Sequence, residues 1–465
     1  MAQRRDNARI EKILLAAACG LFAVLVALSV TLTVVFYRYS EKHGGDFDIG
    51  MITSDGGEYE DISGLFIPSF IGITHGGDRS GTSCSSDVTA DIFRTLSPTV
   101  AYILSRNSVT EVGEDDWESL VSLGDSVYIR FHSEMPASVV GMFAGMLAQS
   151  RETVDVTGGG IYEMFIVPYS AEGDIIRLLT RSVDGEVMQY TAFEPEKYIT
   201  SAELGTIAES YSSSLIDFSF AKNEYSSLGY TEPLFSDTVR TANIIVTNGT
   251  SVFAYNFAGG VDDVMSAFGM NPDKVRISRE EDTSYDYPIG YIDSRGAFYV
   301  RDSGFEYRST ADGGIEMSRY TGYIGGDGYS LEDCIRAAAG LFSSVSALDR
   351  YYGGGDADVY LSSVAYKNGS VTVELSYRYD NIPFTGMPPA LSVTFRDGMM
   401  RQATFYTVAV RRLAEYSETL SESGFALYLA SGGASAYNIT LKYRADYSSE
   451  SVRAEWFGES DDTQR

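Results

Sequence analysis

The sequence predicts an α+β protein: one N-terminal transmembrane helix followed by two or three domains of antiparallel meander sheets with helices on one face. Three observations predict this class. The chain opens with a long apolar segment that carries no charge, and most of the remainder alternates β-rich runs with tight-turn residues. Helical patterns are few and stand between groups of such runs. Runs joined by short turns favour antiparallel pairing.

The membrane segment runs from Ile13 to Tyr37 without a charged residue. It exceeds the about 20 residues that a helix needs to cross hydrocarbon, and the about 7–15 residues in the core of a cleaved signal peptide. Basic residues outnumber acidic ones in the preceding tail, residues 1–12. We therefore expect a cytoplasmic tail, a helix at 13–37 that crosses the lipid bilayer once, and a cell-membrane protein whose remaining chain is extracellular.

Small residues form one stripe of this predicted helix: Ala16, Gly20, Ala23 and Ala27. Positions that recur at alternating spacings of three and four share a helix face, where small side chains let a second helix approach closely. The stripe is a candidate partner-binding face. A plain anchor explains it equally well, because small residues are common in membrane helices.

Composition and pattern divide the extracellular part into five segments. Residues 38–90 are rich in Gly, Ser and Asp, which predicts a flexible stalk with one apolar piece, Ile62 to Ile73, able to form an ordered strand. Three α+β domains are expected at 91–200, 201–326 and 327–458, the last of them a helix with an antiparallel sheet. A short tail, 459–465, ends the chain.

The first domain is expected to hold a strand at Val127–Phe131 and a helix at Ser138–Gln149, entered through Pro136. A strand at Ile161–Tyr169 follows. Strands Ile175–Ser182 and Val187–Phe193 flank Asp184-Gly185, a sequence that favours a hairpin turn.

The second domain is expected to open with a helix at Ser201–Ile216. Asn248-Gly249 predicts a hairpin between strands at Ile244–Thr247 and Val252–Phe257, and a helix at Val261–Phe268 is ended by Gly269. A meander of short strands follows: Tyr291–Asp293, Ala297–Arg301 and Phe305–Tyr307.

The third domain carries the clearest fold signal. An amphipathic helix is expected at Leu331–Leu348, with Ser330 as its N-cap. Alternating strands separated by Asn-Gly and Asp-Gly turns should form an antiparallel sheet beneath it. The predicted strands are Val359–Tyr366, Val371–Tyr379, Leu391–Phe395, Met399–Val410, Leu441–Tyr443 and Val452–Phe457.

The net charge of −29 argues against partners that are polyanions. Nucleic acid and anionic polymers are bound by clustered Lys and Arg, which this chain lacks, so we expect no nucleic-acid partner. Acidity keeping an exported domain soluble is the simpler interpretation.

No common catalytic, cofactor-binding or metal-binding motif is found. The three histidines, His43, His75 and His132, do not stand at ligand spacing, and two extracellular cysteines do not form a disulfide framework. We therefore predict no catalytic residue, no cofactor and no metal site.

Three weak matches to known motifs have simpler interpretations. Ser219 and Lys222 share the Ser-x-x-Lys spacing of penicillin-recognising enzymes but lack the partner motifs, so a surface helix is the preferred interpretation. Gly353–Asp358 is interpreted as a turn before a strand, and Glu280–Asp282 as a solvated loop.

Several short stretches are similar to the YycH family of membrane-anchored regulators of a two-component system. They are Val127–Phe131 with Pro136 and Phe143, Phe268–Arg276, Tyr291–Gly296, Phe305–Tyr307, and Leu375–Tyr379 with Ile382-Pro383-Phe384. The last stretch, with Leu391–Gly398, also resembles the related YycI protein.

The resemblance implies a protein that is not an enzyme. It implies an extracytoplasmic regulator, in cell wall homeostasis of Gram-positive bacteria, that contacts a sensor histidine kinase and a YycI-like sister protein in the membrane. Two alternatives stay open: a membrane-anchored module that binds a ligand or the cell wall through its Tyr-rich sheets, and a serine hydrolase using Ser219 and Lys222.

Overall fold

A computed structural model describes residues 62–105, 108–149, 159–169, 176–192, 198–220, 233–235, 237–248, 260–278, 290–301, 304–321, 329–352, 357–418, 436–445 and 451–460. Within these ranges, no helix is long and apolar enough to cross a membrane. The transmembrane helix predicted at 13–37 lies outside them, as does the tail before it.

A nine-stranded antiparallel sheet occupies the first half of the described chain. Its spatial order is β3-β7-β6-β5-β4-β1-β2-β8-β9. The strands are β1 (Phe70–His75), β2 (Asp78–Thr82), β3 (Val109–Val112), β4 (Ser126–Pro136), β5 (Gly160–Val167), β6 (Ile176–Arg181), β7 (Val187–Ala192), β8 (Leu215–Phe220) and β9 (Pro233–Phe235).

The described residues between these strands form four helices: α1 (Ser86–Leu104), α2 (Glu114–Leu120), α3 (Ala137–Leu147) and α4 (Ser201–Ser210). The helix expected at Ser138–Gln149 and the hairpin at Asp184-Gly185 are confirmed, and Gly185 takes the positive φ of +85° that such a turn requires. The helix expected to reach Ile216 ends at Ser210, because the following residues enter β8 instead.

The ordered strand expected within Ile62–Ile73 is present as β1, but the flexible stalk expected around it is wrong for the described residues 62–90, which also form β2 and the start of α1. Strand β1 pairs with β4 on one side and β2 on the other, near the middle of the sheet. Phe66 is buried and stacks on Phe131 and Phe143, with ring centroids 5.0 and 4.8 Å away. Polar composition did not prevent order here, because most apolar residues of the segment enter the core.

A twelve-stranded sheet dominates the second half of the described chain, in the order β11-β12-β13-β14-β20-β19-β17-β18-β22-β24, with β15 paired to β20 and β16 to β17. Only β18 and β22 run parallel. The strands are β11 (Arg276–Ser278), β12 (Gly290–Ile292), β13 (Gly296–Arg301), β14 (Gly304–Ser309), β15 (Ile315–Glu316), β16 (Asp358–Lys367), β17 (Ser370–Tyr379), β18 (Ile382–Thr385), β19 (Leu391–Arg396), β20 (Met399–Tyr406), β22 (Ala436–Arg444) and β24 (Ala454–Ser460).

A small third sheet has the order β21-β10-β23. Its strands are β10 (Arg240–Asn248), β21 (Val408–Glu418) and β23 (Ser451–Val452), and two further helices are α5 (Gly260–Ala267) and α6 (Ser318–Thr321). The hairpin predicted to pair Ile244–Thr247 with Val252–Phe257 differs from the structure, in which β10 pairs with β21 and β23; residues 252–257 lie outside the described ranges.

The predicted amphipathic helix is confirmed and runs longer, as α7 (Leu331–Tyr352). Ser330 caps it, since its hydroxyl accepts the Asp333 amide at 3.1 Å. Phe342 of α7 stacks on Phe405 of the sheet with centroids 5.4 Å apart. A helix on one face of an antiparallel sheet is therefore present as predicted.

The sheets cross two of the predicted domain boundaries. The first sheet runs from β1 to β9, across the stalk and the boundary at 200, while β14, from the predicted second domain, pairs with β20 of the predicted third. The described residues belong to one compact unit, Tyr59–Arg465. The class is α+β as predicted, but strands far apart in sequence complete one another's sheets.

Candidate functional site

The residues predicted to bind a partner, Ala16, Gly20, Ala23 and Ala27, lie outside the described ranges. Their role stays a prediction. Lys222 also lies outside, and Ser219 lies in strand β8 with a buried hydroxyl. The surface helix expected there is wrong, because alternating apolar residues carry β8 into the first sheet.

Other weak candidates are not brought together. Cys84 and Cys334 form no disulfide within the described ranges, and burial raises the pKa of Cys334 to about 12. His75 ends β1 and faces Asp125, with Nδ1 3.3 Å from the carboxylate. Across the described ranges no group of three His, Cys, Asp or Glu side chains could hold a metal ion.

The two large sheets meet along a line of polar side chains, which we call the seam: Arg130 and His132 from β4, and Arg378 and Asn381 from the β17–β18 hairpin, all of them buried except His132, which is half-buried. Asp380 and Asn381 form the two-residue turn of that hairpin, with φ of +49° and +61°. Asp and Asn tolerate this left-handed conformation better than most residues. The turn therefore places the Asn381 amide at the end of strands β17 and β18, where the hairpin meets the first sheet.

Hydrogen bonds across the seam join residues about 300 positions apart. Arg378 donates from Nη2 to the Gly64 carbonyl at 2.7 Å, and Asn381 donates from Nδ2 to the Pro68 carbonyl at 2.9 Å. Because Nδ2 faces a carbonyl, Oδ1 of Asn381 is the acceptor for His132 Nε2 at 2.9 Å. The imidazole therefore donates to Asn381.

The seam is electrostatically positive. Burial, followed by the charge of Arg378, lowers the pKa of His132 to about 3, and Arg130 and Lys442 contribute in the same direction. Burial also lowers the pKa of Arg378 to about 10, against the attraction of Asp358. At neutral pH the imidazole is therefore neutral while the guanidinium keeps its charge.

Arg130 connects the seam to the interior of the first sheet. It is 5% exposed, its guanidinium lies 5.8 Å from the Phe70 ring centroid, and Nη1 lies 3.4 Å from the Ile439 carbonyl of β22. Its cross-strand neighbour on β5 is Glu163, which also accepts hydrogen bonds from Tyr128 and Arg181. One carboxylate thus stands between two arginines.

A cavity of about 270 Å³ opens beside the seam, and we call it the seam cavity. Strands of both sheets line it, so a molecule inside would touch both. Its polar lining includes Arg130, His132, Ser133, Asn381, Thr440 and Lys442. Its aromatic lining is a row formed by Phe70, Phe235 and Trp456, with successive centroids 5.2 and 6.5 Å apart.

Sequence reasoning did not identify the seam. Arg130 and Arg378 each interrupt an apolar β-run, and a charge inside such a run signals either an exposed face or a buried polar contact. The sequence therefore contains a signal that these two arginines are unusual. The signal does not tell which residues pair, because His132 and Asn381 are 249 positions apart.

No known family matches the sequence, and no curated protein matches it. Among solved structures, the chain is similar to YycH from Bacillus subtilis, with 10% sequence identity and a TM-score of 0.48 over 87% of this chain and 96% of that one. It is also similar to an uncharacterized protein from Eubacterium rectale, with 11% identity and a TM-score of 0.30 over 49% of this chain and 83% of the other.

Proposed function

We propose that the protein is a membrane-anchored, non-enzymatic regulator whose outer region and membrane helix contact a sensor histidine kinase of a two-component system and a YycI-like sister protein. The helix at 13–37 anchors it in the cell membrane, with residues 1–12 in the cytoplasm. Regulation requires that the protein bind two states of the kinase unequally, because equal binding shifts no equilibrium.

One observation carries this proposal: two stretches that resemble the YycH family, far apart in sequence, meet at the seam. Val127–Phe131 contributes Arg130, and Leu375–Tyr379 contributes Arg378. Ile382 and Pro383, from the same resemblance, line the seam cavity. Scattered chance matches have no reason to converge on one contact between two sheets.

A serine hydrolase has less support. A nucleophile needs an accessible hydroxyl within hydrogen-bond reach of a base, whereas the hydroxyl of Ser219 is buried with no hydrogen-bond partner in the described part of the chain.

The test is kinase activity in reconstituted membranes. The full-length protein is placed in vesicles with the sensor kinase recovered by crosslinking from the native membrane, and autophosphorylation is measured with and without it. We expect the rate to change, and Gly20→Leu with Ala23→Leu to abolish the change, because bulk blocks the approach of a second helix.

Ala18→Leu with Ser29→Leu is the matched control, since at 100° per residue these positions face away from the stripe. The control pair should regulate as the unchanged protein does. Regulation that survives polyleucine replacement of 13–37 would locate the contact in the outer region alone. Recovery of no kinase, with no change in autophosphorylation, would contradict the proposal.

A further inference from the structure

The seam cavity has the composition of an anion site inside an acidic protein. The chain carries a net charge of −29, yet the lining of this cavity holds Arg130 and Lys442 against a single carboxylate, Glu134. Glu134 is exposed, and its Oε2 already accepts the Val183 amide at 2.7 Å. Basic side chains therefore outnumber acidic ones in this lining, although acidic residues outnumber basic ones in the chain as a whole.

Arg378 adds a second buried guanidinium behind Asn381. It is 3% exposed, and its hydrogen bonds go to two neutral oxygens, the Gly64 carbonyl and Asn381 Oδ1. No carboxylate of the described chain lies within ion-pair distance of it. Its cross-strand neighbour Asp358 attracts it from beyond that distance, and a further anion nearby would reduce the cost of burying the charge.

Two hydroxyls in the lining lack partners within the described residues. Ser133 Oγ of β4 and Thr440 Oγ1 of β22 are both buried and make no hydrogen bond. A buried hydroxyl without a partner is destabilising, so such groups usually serve water or a ligand. The two hydroxyls belong to different sheets, so a molecule that accepts a hydrogen bond from each of them would bridge the seam.

The aromatic row gives the ligand a second requirement. Phe70, Phe235 and Trp456 are each under a tenth exposed and would enclose an apolar group. The volume of about 270 Å³ lies near the lower end of the roughly 300–1,000 Å³ typical of small-molecule pockets.

We infer that the seam cavity binds a small organic anion, a carboxylate or phosphate monoester that carries a compact apolar group. The acid accepts from Lys442, Ser133 and Thr440, and the apolar group packs on the aromatic row. The bound anion contacts both sheets. Under the proposed function, its binding therefore signals the presence of an extracellular small molecule to the outer region.

The experiment uses full-length protein in nanodiscs with 13C-labelled histidine, because the chain has three histidines and His132 lies in the cavity lining. Phenylacetate and phenyl phosphate are titrated, with neutral phenylacetamide as the matched control. We expect the anions to shift the His132 resonance and raise its pKa, since a bound negative charge stabilises imidazolium. Phenylacetamide should do neither.

Variants test whether the anion binds in the seam cavity. Ser133→Ala with Thr440→Val should weaken anion binding about 10-fold or more through the loss of two charge-assisted hydrogen bonds. Thr407→Val is the control, because Thr407 also has a buried, unpartnered hydroxyl but does not line the cavity. A stronger response to phenylacetate identifies a carboxylate site, and a stronger response to phenyl phosphate identifies a phosphate site. The inference is overturned if neither anion moves His132, if phenylacetamide acts equally, or if the double variant binds as the unchanged protein does.

Discussion

The two large sheets use one glutamate and two arginines in opposite ways. In the first sheet, Glu163 is 1% exposed and stands in register between Arg130 and Arg181. In the second, Glu306 pairs with Arg301 and Arg308, whose side chains are 41% and 59% exposed. Glu306 is itself buried, but water solvates both of its arginine partners, whereas water hardly reaches the first group. The same residue types therefore contribute differently to stability in the two sheets.

Burial makes the first group a requirement of the fold. The Arg181 guanidinium lies over the Trp117 ring at 5.0 Å, and Tyr128 donates to the other oxygen of Glu163. Removing one charge of such a group leaves the others desolvated, whereas the exposed arginines of the second group stay solvated by water when a charge is removed.

The largest effect is expected for Glu163→Gln. Loss of the carboxylate charge removes the buried counter-ion of Arg181, whose side chain is 14% exposed, and leaves only the half-exposed Glu114; it should lower the free energy of unfolding by about 3–5 kcal/mol. Urea denaturation followed by tryptophan fluorescence measures this, because Trp117 lies beneath Arg181. A loss below about 1 kcal/mol would remove the distinction between the two sheets.

The comparison also requires that residues 62–69 belong to the first sheet's core. Phe66→Ala should cost about 3 kcal/mol, the lower end for a buried phenylalanine, because a segment near the start of the folded region can partly collapse. Phe298→Ala, at a fully buried position of the second sheet, is the control. If Phe66→Ala is as stable as the unchanged protein, residues 62–69 do not belong to this core and the prediction of a flexible stalk holds for them.

His132, which lies between the two sheets, extends the comparison to pH, because the stability of the fold depends on its protonation. Its native pKa of about 3 lies below the unfolded value near 6.5, so the unfolded state binds the proton first and stability falls as pH drops below about 6.5. Relative to His132→Gln, the native protein should lose about 1 kcal/mol between pH 7.5 and 5.5. Thermal melts of both proteins at the two pH values measure it, and equal losses would contradict the assignment.

The smallest effect is expected for Glu306→Gln. Both arginine partners are solvated, so stability should fall by less than about 1 kcal/mol, and less still in 1 M salt. Denaturation at low and high salt gives the value. A loss equal to that of Glu163→Gln would show that exposure does not separate the two groups.

The elements that could be predicted are those whose signals are local. Asn368-Gly369 and Asp397-Gly398 take the positive φ of hairpin turns, and the strands beside them pair as expected. Ser330 caps its helix from within one turn. Each of these signals is complete within a few residues, so most of the elements predicted for the third domain are confirmed.

The elements that could not be predicted depend on distant partners. Gly72 and Gly81 of the supposed stalk pair with each other, and β1 is held by β4 more than 50 residues later. Composition alone describes such a segment as flexible. The seam could not be predicted for the same reason: nothing near Arg130 in sequence indicates that it meets β22.

The seam also fixes the order in which the chain can finish folding. The carbonyls of Gly64 and Pro68 are among the first described groups to leave the ribosome, but their donors on Arg378 and Asn381 are made 314 and 313 residues later. Contacts of such sequence separation close slowly, because a long loop must be ordered before they form. The first sheet therefore keeps its partly apolar surface at the seam uncovered until synthesis is nearly complete, and it is during that interval that the chain most needs protection from aggregation.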